Sequence, residues 1–222
     1  MKTLINKHFS HFYDKAFLWS FVSSFVFLAI ALFVNFYASI YATKVASEPV
    51  TDIILSNIRV YDVDQIFIWG PWVLFIFIFI VSIKKTYRFP FIVKSIALFV
   101  LIRSVFITLT HIGPFPSAIL VDSTRFISTF TSGGDLFFSA HTGLPFLMTL
   151  IFWKEKGMRY IMLATSILFG IVVLMGHLHY TIDVVAAFFI TYSIYSIAEQ
   201  FFRKDMEYFH YGLKGNEVPG NF

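Results

Sequence analysis

The chain has 222 residues, 58% of them hydrophobic and 14% charged, with thirty phenylalanines and a mean hydropathy of +0.76. That balance excludes a soluble globular domain and calls for an integral membrane protein. With no cysteine, disulfides, thiolate nucleophiles and cysteine-based metal sites are excluded and redox chemistry is not expected; the formal charge of +4 is better counted loop by loop than read as the mark of a nucleic-acid or other acidic partner.

In chain order, "MKTLINKHFSHFYDKAF" is basic, but the apolar run after it is about 25 residues, too long for a signal-peptide core and without a small-residue cleavage pattern, so it reads as a retained first helix. A hydrocarbon core needs roughly 20 apolar residues per helical span. Six runs qualify: about 17–41, 66–83, 90–110, 136–153, 159–176 and 182–202. Near-continuous Phe, Ile, Leu and Val excludes the alternating strands of an outer-membrane barrel. The expected fold is all-α, an integral membrane bundle of six transmembrane helices, with no internal repeat. Its expected parts are an amino-terminal segment (1–16), a six-helix catalytic domain (17–202) and a polar tail (203–222).

"KKTYRFP" and "KEKGMR" read as tight turns, whereas 43–65 and 111–135 are long enough to carry structure. On one side of the bundle lie Lys2, Lys7, Lys15, Lys84, Lys85, Arg88, Lys154, Lys156, Arg159, Arg203, Lys204 and Lys214; on the other lie Lys44, Arg59 and Arg125. Twelve against three puts both termini in the cytoplasm, and the two long loops, with the turn "HLHYT", on the extracytoplasmic (periplasmic or lumenal) face.

The chemistry-bearing groups gather near that face. His179 and Asp183 are four residues apart, which on a helix places them on one face, the carboxylate orienting the ring. The same spacing also suits a hydrogen bond that merely pins the turn. His141, in "GGDLFFSAHTG", starts the fourth run on the same side. Arg103 lies inside the third run, about seven residues from its outer end, where a cation needs a polar cavity or a partner such as Asp135 or Asp122. Together they suit a phosphate ester: the arginine neutralises it, one imidazole attacks phosphorus and the other protonates the leaving oxygen. His111, His177 and His210 lack a partner at a meaningful spacing and read as interfacial residues. A zinc site on His177, His179 and Asp183 would need irregular backbone, because His-x-His on a helix projects the rings about 200° apart. No metal and no cofactor is expected.

"GGDLFFSAHTG", followed about forty residues later by "HLHYTIDVVAAFFIT", resembles the paired signature of the sphingomyelin synthase family, within the type-2 phosphatidic acid phosphatase superfamily. "IRSVFITLTHIGPFP" and "EPVTDIILSN" are similar to that family's arginine-to-threonine segment and first outer loop, so the likeness runs over roughly residues 45–200. The resemblance implies a ping-pong reaction in which His179 forms a phosphohistidine, Asp183 activates it, and His141 protonates the departing diacylglycerol. It also implies Arg103 as phosphate holder, with Asp135, Ser139 and Thr142 in support. The implied partners are membrane lipids, with a glycerophospholipid donor and ceramide or diacylglycerol as acceptor; a homo-oligomer is compatible with the composition.

The chain departs from the family at Leu178, where the synthases carry an acid, and at Ala140, where they carry glycine. Val173 stands where the soluble phosphatase branch expects an arginine, and no Lys-x6-Arg-Pro occurs, which favours the synthase branch. The shortness of the chain, without the amino-terminal extension and long tail of animal members, points to a minimal, bacterial version. Water as acceptor would make the same site a lipid phosphatase or phospholipase C-like hydrolase. An ion or proton transporter would need polar groups through the whole membrane thickness, and a structural subunit would leave the His/Asp spacing without purpose.

Overall fold

The computed structural model describes residues 13–119 and 135–213, and these contain helices and no strand. Asp122, Arg125, the first two glycines of "GGDLFFSAHTG", Lys2, Lys7 and Lys214, all part of the expectations above, lie outside the described residues.

Five apolar runs fold as expected. They are α1 (Lys15–Lys44), α2 (Asp64–Ile83), α3 (Phe89–Leu109, entered through a 3-10 turn, Thr86–Arg88), α5 (Lys156–Met175) and α6 (Thr181–Phe201). Each is long and apolar enough to cross a membrane. Asp14 starts α1 by accepting the Ala16 and Phe17 N–H groups at 2.8 and 3.3 Å, and Pro90 suits the first turn of α3, where no N–H is needed. Large apolar side chains such as Val73 and Phe189, 66% and 72% exposed, lie on the outer faces, as suits helices surrounded by lipid.

The fourth run departs from expectation. Its helix, α4, covers only Ala140–Ile151, twelve residues or about 18 Å, short of the roughly 30 Å of a hydrocarbon core. Residues 136–139 are non-helical although the expected run, 136–153, included them.

Helix α3 is the central element. Helix α1 lies along it through small buried residues, Ser24, Ala31, Ala38 and Ala42, which let the two backbones approach. Helix α4 packs between α5 and α6 and against α3, and Gly143 makes this possible: a Cβ there would sit 2.7 Å from the Phe99 ring and 2.9 Å from Thr191 Oγ1. Phe99, Phe138, Leu147, Met148, Phe169 and Ala187 fill the middle.

At the basic end a short helix, α7 (Arg203–Tyr211), begins what was expected to be a polar tail, but it is docked: Asp205 and Phe209 are buried. Lys94 Nζ reaches Asp205 at 2.7 Å, and Arg88 pairs with Glu155 at 2.6 Å while its guanidinium lies 4.9 Å from the Phe209 ring centre. At the opposite end the loops 45–63 and 110–119 fold over the bundle. Gly113 is pressed against the Ser47 carbonyl, which occupies the place of a side chain, and Tyr61 N–H donates to Met175 O at 2.8 Å.

Candidate active site

Arg103 sits on α3 six residues before Leu109, about 9 Å inside the end of the helix. It is 6% exposed. Its Nε donates to Phe138 O at 2.9 Å, one Nη to the Asp135 carboxylate at 3.3 Å and the other to the Asp135 carbonyl. Non-helical backbone at membrane depth needs internal partners for its polar groups. Arg103 supplies them to residues 135–138, and this explains why α4 begins late. Asp135 is further bonded by Ser39 of α1.

Ser139 is the N-cap of α4, its hydroxyl accepting from Thr142 N–H at 3.4 Å. Its own N–H donates to Asp183 O at 3.2 Å, tying the start of α4 to the first turn of α6. Thr142 donates its hydroxyl to Ser139 Oγ at 3.3 Å, and its carbonyl accepts from Ser166 of α5 at 2.7 Å. Both are buried and hold this junction together.

His141, one residue into α4, stacks on Phe67 of α2 with ring centres 4.1 Å apart, and its Nε2 lies 3.1 Å from Phe67 O. A carbonyl only accepts, so Nε2 carries the proton and Nδ1 is left as the group that can take or give another.

His179 lies before α6 and not on it, contrary to the helical spacing expected. Helix α5 ends in a Schellman motif: Leu178 N–H returns to Val173 O, His177 N–H to Leu174 O, and His177 takes the left-handed φ of 55°. The chain then crosses to α6 through His179 and Tyr180. His179 is 7% exposed, and its Nδ1 lies 3.6 Å from Asp183 Oδ2, within ion-pair range but longer than a hydrogen bond. Asp183 is fully buried, its Oδ2 accepts the Tyr180 N–H at 2.9 Å, and its Oδ1 has no hydrogen-bond partner among the described residues. One carboxylate both closes the first turn of α6 and faces the imidazole. His179 and Arg103 each lie near enough to interact electrostatically with both Asp135 and His141, so the predicted residues form one cluster.

The remaining histidines among the described residues are apart from it. His111 Nε2 meets Thr108 O at 3.1 Å; His177 Nδ1 meets Ser117 Oγ at 2.6 Å; His210 lies on α7 at the other end. No group of three potential metal-binding side chains occurs among the described residues.

Two residues escaped the sequence reading. Asp52 accepts Thr181 N–H and Oγ–H, both at 2.7 Å, and the Ile54 and Leu55 N–H groups at 2.9 and 3.0 Å, clamping the first loop onto the start of α6. Tyr180 donates its hydroxyl to Gly113 O at 2.8 Å and accepts Val50 N–H at 3.2 Å, joining both loops to the turn that carries His179. Only an acid two residues before two backbone donors hinted at the first, and nothing local hinted at the second.

No curated protein and no solved structure matches the chain. Residues 132–200, which include Asp135, His141, His179 and Asp183, match the family model described as PAP2 superfamily C-terminal, and this match supports the type-2 phosphatidic acid phosphatase superfamily, whose members are phosphatases or phosphotransferases.

Proposed function

We propose that the protein moves a phospho-headgroup, phosphocholine or phosphoethanolamine, from a glycerophospholipid to ceramide or another lipid alcohol, through a phosphohistidine on His179. The observation that carries this reading is the His179 Nδ1 to Asp183 Oδ2 approach of 3.6 Å beside His141 and Arg103. Asp183 holds the proton on Nδ1 and leaves Nε2 as the nucleophile. Nε2 attacks phosphorus, the bond from phosphorus to the diacylglycerol oxygen breaks, and His141 gives that oxygen its proton. The acceptor hydroxyl then attacks the phosphohistidine, the phosphorus–nitrogen bond breaks, and His141 takes the proton back. Arg103 has N–H groups beyond the three in use, and the amino-terminal end of α4 adds the positive end of its dipole, both suited to a phosphate. With both termini in the cytoplasm, the reaction takes place in the extracytoplasmic leaflet.

The match to a superfamily that includes phosphatases favours one second reading, in which water replaces the lipid alcohol and the products are those of a lipid phosphatase or phospholipase C-like hydrolase. Transport finds less support, since Phe99, Leu147 and Ala187, all fully buried, fill the middle of the bundle between its two polar ends.

The test is mass spectrometry of lipids after incubating the purified protein, or its His179→Ala variant, with mixed phospholipids, ceramide and diacylglycerol. A new headgroup-bearing lipid made by the wild type alone is the expected result. Free phosphate or phospho-alcohol without a new lipid would identify a hydrolase, and identical products from the two proteins would remove His179 from the chemistry.

A further inference from the structure

At the basic end, away from the site above, the ends of α4 and α6 and helix α7 enclose a cleft of about 540 Å³. Leu150 and Ile151 contribute apolar surface to it, Tyr192, Tyr195 and Glu199 of α6 contribute rings and a carboxylate, and Lys154 contributes an exposed ammonium.

The acids of this end are mostly neutralised within the protein. Glu155 has Arg88 at 2.6 Å, Asp205 has Lys94 at 2.7 Å and Glu207 has Arg203 at 3.6 Å. Glu199 is different. Half-buried in the wall of the cleft, it accepts the Tyr195 hydroxyl at 2.7 Å and has no cationic side chain within ion-pair distance among the described residues. Lys154 is likewise without a carboxylate in range among them. A carboxylate on a membrane helix calls for a cation. Tyrosine rings attract an ammonium through their faces, and quaternary ammonium groups most of all. An anion among rings and a cation, neither in an ion pair among the described residues and both within electrostatic reach of His210, with apolar surface between them, complement a phosphate joined to an ammonium and continued by hydrocarbon.

We propose that this cleft binds the zwitterionic headgroup of a phospholipid in the leaflet at the basic end, with Glu199, Tyr192 and Tyr195 receiving the ammonium and Lys154 the phosphate. The bound lipid would wedge α7 against α4 and α6, independently of the reaction at the opposite end.

Phosphatidylcholine carrying a diazirine next to the headgroup is the probe, incorporated with the full-length protein into lipid nanodiscs and photolysed, with the cross-linked peptides mapped. Cross-links are expected in 150–154 and 192–199, displaced by excess phosphatidylcholine but not by phosphatidylglycerol. Glu199→Gln and Tyr195→Ala should each weaken them by about tenfold, while cross-links to peptides of the opposite end stay as in the wild type, so that failure here is separate from failure of the phosphotransferase reading. Equal displacement by phosphatidylglycerol would overturn the proposal, whatever the variants do. So would cross-links indifferent to both substitutions, which would leave the tyrosines as an ordinary interfacial belt.

Discussion

Asp183 answers two demands with one carboxylate, and the two can be separated. Its Oδ2 accepts the Tyr180 N–H at 2.9 Å and stands 3.6 Å from His179 Nδ1. Asparagine offers a carbonyl for the first contact but turns neutral, and its amide can present a donor where the imidazole needs an acceptor. Asp183→Asn should therefore leave the melting temperature close to wild type while lowering turnover about 10²- to 10⁴-fold. Asp183→Ala loses the cap as well and should cost about 1 kcal/mol more in stability. Thermal unfolding and lipid product formation, measured side by side, give both quantities; wild-type turnover in Asp183→Asn would reduce the carboxylate to a cap. Arg103 cannot be divided in this way, because the three contacts that hold residues 135–138 also set how its guanidinium lies.

At the scale of elements, the start of α6 is held from outside the helix. Burial favours the protonated form of Asp52, but the donors that converge on it, from Leu55, Thr181 and Ile54, outweigh that and hold its carboxyl below the usual range. A carboxyl that is more acidic when folded stabilises the fold above its unfolded value, near 3.8, and ceases to do so as pH falls through the lower folded value. The clamp is thus intact at neutral pH and released in acid. Limited pepsin digestion, normalised to the unfolded chain, should show cleavage in 45–63 rising as pH drops below about 4, and Asp52→Ala should show the same cleavage already above that point; a loop equally resistant in the variant would mean that Tyr180 and the Tyr61 to Met175 bond suffice. Such clamps explain what the sequence could and could not convey. Runs 17–41 and 182–202 were legible as helices because apolar composition over that length has one solution in lipid. The late start of α4 was not, since Leu136, Phe137 and Phe138 are equally apolar in either conformation and the deciding group, Arg103, lies 35 residues from Phe138. His179 and Asp183 were legible as a pair, but not the turn that separates the histidine from the helix. The Asp52 to Thr181 contact spans 129 residues and has no local signature.

Across the whole molecule the two ends differ in kind. One gathers lysines and arginines around α7, with Lys94 and Arg88 paired inside; the other carries His141 and His179 beneath two clamped loops. The bias of basic residues, twelve against three in the sequence, argues that the first end faces the cytoplasm, because basic flanks resist translocation. In the proposed reaction that orientation decides which leaflet supplies the phosphate donor, and the chain is well suited to testing it, since it contains no cysteine. Ile53, 82% exposed in the first loop, and Lys84 and Lys204, exposed at the basic end, each accept a single cysteine without disturbing a buried contact. In intact cells a membrane-impermeant maleimide should label Ile53→Cys, and should label Lys84→Cys and Lys204→Cys only after permeabilisation. The opposite pattern would place His141 and His179 at the cytoplasmic leaflet, so that the donor lipid would come from that side and the zwitterionic headgroup cleft would open outward. Labelling of Lys84→Cys and Lys204→Cys from opposite sides would mean an odd number of crossings between them, so that α4, with its twelve residues, does not span the membrane.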